Sequence, residues 1–227
     1  MKYMIHCCPK RMWYVEEYLI PSMIKQNISK ENIIIWNDTD NVGNQKSWYN
    51  SCQYIKKNEN KLEGMWHIQD DVLICKNFYS RTKKVPNNIN IRCGFATKNF
   101  NKIGTVWTGA QPITQHWMSF QCIYIPNRYM REFINWYDTE VIQKGNYKEK
   151  YEGGNDDDFL FFESIITLHP KIKSVNITPC LVEHIDYLIG GSTLFNRKHK
   201  QNRAFQFDDM DLVDELEMQL KHKGTVF

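Results

Sequence analysis

The chain has 227 residues, a formal net charge of +3, 42% hydrophobic and 14% aromatic residues, a composition that excludes a disordered polymer and allows a substantial core. The charge is too small to argue for nucleic acid by itself, and no apolar run is long enough to span a bilayer. Seven cysteines, adjacent at Cys7-Cys8 and never in paired C-x-x-C spacing, speak against a disulfide framework or a zinc site and for reduced thiols. Lys2 and His6-Cys7-Cys8-Pro9 interrupt any N-terminal apolar region, so no signal peptide is read and a soluble, cytoplasmic protein is expected.

Tyr3 to Cys8 reads as a short buried strand stopped by Pro9 and followed by Lys10-Arg11. A helix is predicted from Trp13 to Leu19, with Pro21 and Ser22 ending or kinking it. Asn32 to Trp36 is the clearest strand, β-branched and aromatic, closed by Asn37-Asp38-Thr39-Asp40. Gly43-Asn44 then opens a segment with Trp48, Cys52 and Ile55 at helical spacing. The next strand is Gly64-Met65-Trp66-His67-Ile68, which ends in Gln69-Asp70-Asp71 before a second apolar group, Val72-Leu73-Ile74. Strand, helix, strand, helix, strand predicts a parallel sheet flanked by helices.

The middle is less regular. Asn90 to Phe95 and Gln121 to Ile125 read as strands, with a Gly-, Thr- and Trp-rich stretch at 104–109 between them. Pro126-Asn127 start a helix whose Tyr129, Phe133, Trp136 and Tyr137 have core spacing. Gly153-Gly154-Asn155-Asp156-Asp157-Asp158 precede an apolar helix beginning at Phe159. One or two of these acids serve as helix cap and dipole partner, and three exceed what capping needs. A strand around Ser174 to Ile177 leads to His184 and then to Gly190-Gly191-Ser192, whose backbone amides suit an anion. Residues 196–227 join basic residues (Arg197, Lys198, Lys200, Arg203) to an apolar-periodic surface or partner-docking helix from Asp208 to Leu220.

The acids after Ile68 carry the chemical argument. Burying ionised carboxylates costs several kcal/mol each unless they are paired or bind a metal. A strand that releases them at its C-terminal end delivers them to the edge where open α/β sheets bind ligands. Oxygen donors of this kind suit Mg²⁺ or Mn²⁺, which bridge to substrate phosphates. A turn with two solvated Asp residues is the bland alternative.

In their order along the chain these elements resemble the nucleotide-sugar glycosyltransferases of the GT-A fold, over roughly residues 1 to 195. Small glycosyltransferase-like proteins of bacteria and their phages come closest. The resemblance implies an α/β fold with a Rossmann-like, mixed, mostly parallel sheet flanked by helices in a single domain at 1–195. The segment 196–227 is expected to pack on that domain or extend it. It implies transfer of a sugar from a nucleotide-diphosphate donor, UDP-sugar favoured, to an acceptor hydroxyl with inversion, using Mn²⁺ or Mg²⁺. Gln69-Asp70-Asp71 matches the family's Asp-X-Asp element, with Gln where the first acid usually stands. Asp71 is then the preferred metal ligand, Asp70 orients the ribose or supports the metal, and His184 completes the metal and diphosphate site. Asp157 and Asp158 match the acidic pair that supplies the base, with Asp157 preferred and Asp156 as cap. Arg11, Asp38, Ser192 and Lys198 fall on the donor side. The acceptor is a glycan, a protein or, for a phage gene, a modified DNA base, with Trp107 and Trp117 available for stacking and Lys198, Lys200 and Arg203 for phosphates. The resemblance implies a bacterial or phage-infected host cell as the setting.

Two other classes compete. A two-metal nuclease uses similar carboxylates, and an inactive nucleotide- or sugar-binding module on the same fold is compatible with Gln69. UDP-sugar hydrolysis with Mn²⁺ separates them: a nuclease cuts DNA instead, and a binder does neither.

Overall fold

The structure is a computed structural model that describes residues 1–40, 42–59, 62–84, 90–95, 111–112, 120–146, 157–177, 179–190, 204 and 206–224, with backbone alone at 111–112, 157–159 and 173–175. Period-two patterning builds the central sheet. Strand β1 (Lys2–Cys7) turns Tyr3, Ile5 and Cys7 to one core and Met4 to another. Strand β3 (Gly64–Gln69) does the same, with Trp66 and Ile68 on the first side and Met65 on the second. A strand covered on both faces reads as a near-continuous apolar run, and Met65 to Ile68 is one.

The sheet order is β2-β1-β3-β7-β5-β8-β6, where β2 is Ile33–Asn37, β5 Ile91–Cys93, β6 Gln111–Pro112, β7 Cys122–Pro126 and β8 Lys173–Asn176. Strands β2, β1 and β3 are parallel, as the alternating pattern predicts, and so are β5 and β8. Strand β7 runs against both β3 and β5, and β6 against β8. The fold is thus a mixed α/β sheet flanked by helices, with five of its seven strands running in one direction and β7 and β6 in the other. Helices α3 (Asn44–Asn58), α5 (Asn127–Tyr137) and α6 (Asp157–Leu168) cover one face, through Trp48, Cys52, Ile55, Phe133 and Phe161, while α4 (Phe78–Lys83) sets Phe78 in the other core. The aromatic residues of α5 are core, as their spacing predicts. All seven cysteines are free thiols. No helix among the described residues is long and apolar enough to cross a membrane.

One helix differs from expectation: it does not end at Pro21 and continues to Lys25. Helix α1 (Met12–Tyr14) passes through a π-type turn at Val15–Leu19 into α2 (Ile20–Lys25). The Ile20 N–H reaches back to the Val15 carbonyl, and Pro21, which lacks an N–H, falls in the first turn of the following segment, where none is needed. The C-terminal helix, read from the sequence as a surface or partner-docking helix in a segment that packs on the domain or extends it, is α8 (Met210–His222), and it lays Val213, Leu216 and Leu220 on the chain's own core. Its apolar stripe is therefore already covered.

Gly64 is a packing requirement. It pairs with Pro126 across β3 and β7, and a Cβ there would lie 2.7 Å from the Ile125 carbonyl oxygen and 2.8 Å from the Pro126 Cα. Backbone cannot give way as a flexible side chain does. Gly64→Ala is expected to cost about 1–3 kcal/mol, read as a lower urea midpoint at constant slope. An unchanged midpoint would show that β7 is free to shift.

Candidate active site

The parallel strands end together, and the turns at their C-terminal ends build the site. Asp38 comes directly after β2, with its N–H on the Cys7 carbonyl at 2.9 Å and its Oδ1 accepting from the Val42 N–H at 3.2 Å. Cys8 and Arg11 come after β1. Asp70 and Asp71 form the turn from β3 into β4 (Val72–Ile74), which leaves the main sheet and pairs antiparallel with β9 (Val182–His184). That register sets Val72 opposite His184, and the Ile185 N–H bonds the Asp71 carbonyl at 2.8 Å. Pairing of the small sheet thus brings His184 to Asp71. Helix α7 (Asp186–Ile189) starts immediately afterwards and adds Asp186.

Arg11, Asp70, Asp71, His184 and Asp186 are each between 4% and 7% exposed, so this is a cluster of buried charge. One Arg11 Nη1 donates to Asp70 Oδ1 at 2.8 Å and to Asp71 Oδ2 at 2.7 Å, while its Nε donates to the Gly190 carbonyl at 3.1 Å. The second Asp70 oxygen accepts from the Cys8 N–H at 2.7 Å. His184 Nε2 lies 3.3 Å from Asp71 Oδ2, and its Nδ1 lies 3.7 Å from Asp186 Oδ1. Asp71 Oδ1, His184 Nδ1 and Asp186 Oδ1 are buried without hydrogen-bond partners. At formal charge, one guanidinium against three carboxylates leaves the cluster negative, and buried, unpartnered acceptors make that imbalance costly.

The two acids of the turn titrate in opposite directions. Burial pushes Asp71 up, but the charges of Arg11 and His184 and their hydrogen bonds outweigh it and hold the carboxyl well below the usual range. Burial also raises Asp70, the Asp71 charge adds to it, and Arg11 and the Cys8 N–H only partly oppose the rise. Burial disfavours a charged His184, yet Asp71 and Asp186 raise its pKa on balance.

Of the residues singled out in the sequence, the fold brings Arg11, Asp70, Asp71 and His184 into one cluster. Asp38 stands at the same edge, where its bonds are to Cys7 and Val42 and not to the cluster. Asp157 and Asp158 open α6, and their side chains lie outside the described residues, as do Asp156, Ser192, Lys198, Lys200, Arg203, Trp107 and Trp117. Gln69 ends β3 and gives its N–H to the Gln121 carbonyl at 3.0 Å. Asp186 and the Gly190 carbonyl were not singled out. The signal for Asp186 was its place two residues after His184, at the start of a helix.

No protein-family profile and no curated protein sequence matches the chain. Among solved structures, a glycosyltransferase involved in glycosylation of the major capsid of PBCV-1 is similar at 10% identity and a TM-score of 0.45, over 83% of this chain and 84% of that one. The galactosyltransferase LgtC, solved with donor and acceptor sugar analogs, is similar at 9% identity and a TM-score of 0.46, over 100% of both chains. A Drosophila galactosyltransferase 7 variant, in complex with manganese, UDP-Gal and xylobiose, is similar at 9% identity and a TM-score of 0.44, over 93% of this chain and 79% of that one. These three similar structures are glycosyltransferases, and the likeness is one of fold alone.

Proposed function

We propose that the chain is a nucleotide-sugar glycosyltransferase of the GT-A type, moving a sugar from a nucleotide-diphosphate donor, UDP-sugar favoured, to an acceptor hydroxyl. The observation that carries the reading is the buried cluster of Asp70, Asp71, His184 and Arg11 at the C-terminal ends of parallel strands, where open α/β sheets bind ligands.

The residues present fit a divalent cation. Among the described residues no three His, Cys, Asp or Glu side chains converge on one. Mg²⁺ and Mn²⁺ bound with a substrate diphosphate need only one or two protein ligands, the rest being waters and phosphate oxygens. Asp71, whose Oδ1 is buried and unpartnered, and the adjacent His184 are the residues that would hold the ion. When bound, it supplies charge neutralisation to a leaving diphosphate.

The chain's own groups do the rest. Arg11 is a fixed positive charge at the donor side, and Asp70, braced by Arg11 and the Cys8 N–H, holds that guanidinium and the turn in place. Ser192, Lys198 and Asp38 are assigned to the donor. For transfer with inversion, Asp157, with Asp158 second, takes the proton of the acceptor hydroxyl as that oxygen bonds to the sugar's anomeric carbon. The bond from that carbon to the diphosphate breaks on the opposite face, and the diphosphate leaves with the electron pair.

Thermal shift with UDP, GDP and CDP, each with and without Mn²⁺, followed by hydrolysis of the matching sugar nucleotides, tests the reading. Stabilisation by one nucleotide and slow release of it from its sugar are expected. DNA cleavage without nucleotide binding would favour the nuclease, and binding without turnover the inactive module.

A further inference from the structure

Arg11 sits where the proposed chemistry calls for a cation. A single Nη1 bridges one oxygen of each acid, at 2.8 and 2.7 Å, and the Nε–H bond to the Gly190 carbonyl ties the guanidinium to the end of α7. With 4% of its surface exposed, Arg11 is a built-in part of the cluster rather than a surface residue resting on it. Asp71 is then shared by two groups: Arg11 and His184 meet its Oδ2, and only Oδ1 is left open.

We propose that Arg11 is the resident counter-ion of the Asp70–Asp71 pair and makes tight divalent-cation binding conditional on the donor's diphosphate. An ion arriving alone at Asp71 Oδ1 meets a positive guanidinium already seated on the other oxygen of the same carboxylate. Like charges at that spacing repel strongly in a site shielded from water. A diphosphate changes the balance, because its negative oxygens attract both cations at once. Metal and nucleotide therefore enter as partners, and the apo site resists free metal. The acids stay partly neutralised in the meantime, which lowers the cost of two bare buried carboxylates. The dependence on diphosphate rests on the glycosyltransferase reading, whereas the counter-ion role stands on the ion pairs alone.

The experiment is a Mn²⁺ titration, read from the paramagnetic resonance signal of the free ion, on the wild type, Arg11→Gln and Arg11→Lys, each with and without UDP. Without UDP, the wild type and the Lys variant are expected to bind Mn²⁺ weakly and Arg11→Gln roughly tenfold or more tightly, although it has lost a polar contact. With UDP, the wild type gains Mn²⁺ affinity, while Arg11→Gln binds the nucleotide less well. Equal Mn²⁺ affinity in the Gln and Lys variants, or tight wild-type binding without UDP, would overturn the proposal. If Arg11→Gln gains metal affinity and no form binds UDP, the counter-ion stands and the glycosyltransferase reading falls. If wild type binds UDP with Mn²⁺ and Arg11→Gln gains nothing, the reverse holds. Should Arg11→Gln fail to fold, the wild-type titrations with and without UDP still decide, since equal affinities in the two refute the proposal.

Discussion

Asp71→Asn is expected to lower Mn²⁺ affinity in the presence of UDP by about 10²-fold or more, and sugar transfer with it. The change removes the charge of the only turn acid with an oxygen left open. It also weakens the hold on Arg11 and His184, so the variant should be less stable by about 1–3 kcal/mol, the range for a charged hydrogen bond lost in a buried setting. Asn keeps one oxygen for Arg11, and Asp70 keeps its ion pair, so the larger cost of a fully broken buried pair is not expected. Asp71 has its carboxyl held below the usual range. Its stabilising contribution is therefore complete above the unfolded value of 3.8 and is lost as pH falls from there through the lower folded value. Metal titration and urea melts on the same preparation separate the two losses. Normal metal and UDP affinity in a destabilised variant would make Asp71 a structural anchor and nothing more.

Acidification should unfold the protein through a different pair. His6 Nε2 and His67 Nδ1 are 2.9 Å apart, with the Trp48 ring centroid 5.0 Å from the first ring and 4.9 Å from the second. Burial pushes His6 down from 6.5 to about 3, and burial together with the His6 charge keeps His67 well below its ordinary value. Both pKa values are depressed on folding, so below pH 6.5 the unfolded chain takes up protons that the folded chain refuses. Stability is fully present above that pH and declines as pH falls toward 3 and beyond, by up to about 1.4 kcal/mol per pH unit for each histidine. His184 and Asp70 have raised values and the opposite sign, so their protonation favours the folded state. The slope of the wild type minus that of His67→Asn isolates one titration: Asn leaves an amide near the Nδ1 position and removes the proton site. Urea melts from about pH 7.5 to 4.5 are expected to show the variant losing stability less steeply, by about one proton. Parallel slopes would mean that these rings become charged in the folded protein.

Legibility in the sequence depends on which interactions are local. The strand at 64–69, its terminal acids and the helices behind it are written in period and composition, which act over a few residues. The role of Arg11 is only half visible: the resemblance places it on the donor side, but which carboxylates it meets depends on β1 lying beside β3. The His6–His67 bond was invisible for the same reason, since it needs the parallel register that sets Met4 beside His67 and His6 beside Gln69. The reversed direction of β7 also has no local signature, because an apolar run looks alike in either direction. That the helix continues past Pro21 has no local signature either, because it depends on the wider turn at Val15–Leu19 that places the proline where no N–H is needed.

The pairing of β4 with β9 has a consequence for how the cluster comes into being. In a chain made from its N-terminus, Arg11, Asp70 and Asp71 emerge well before His184 and Asp186, and the short strand that carries the histidine must find Val72 across a long stretch of intervening helices and strands. During that interval β1 and β3 can already align, with Arg11 restraining the acid pair. The later segment then completes a half-site whose two carboxylates already share one guanidinium.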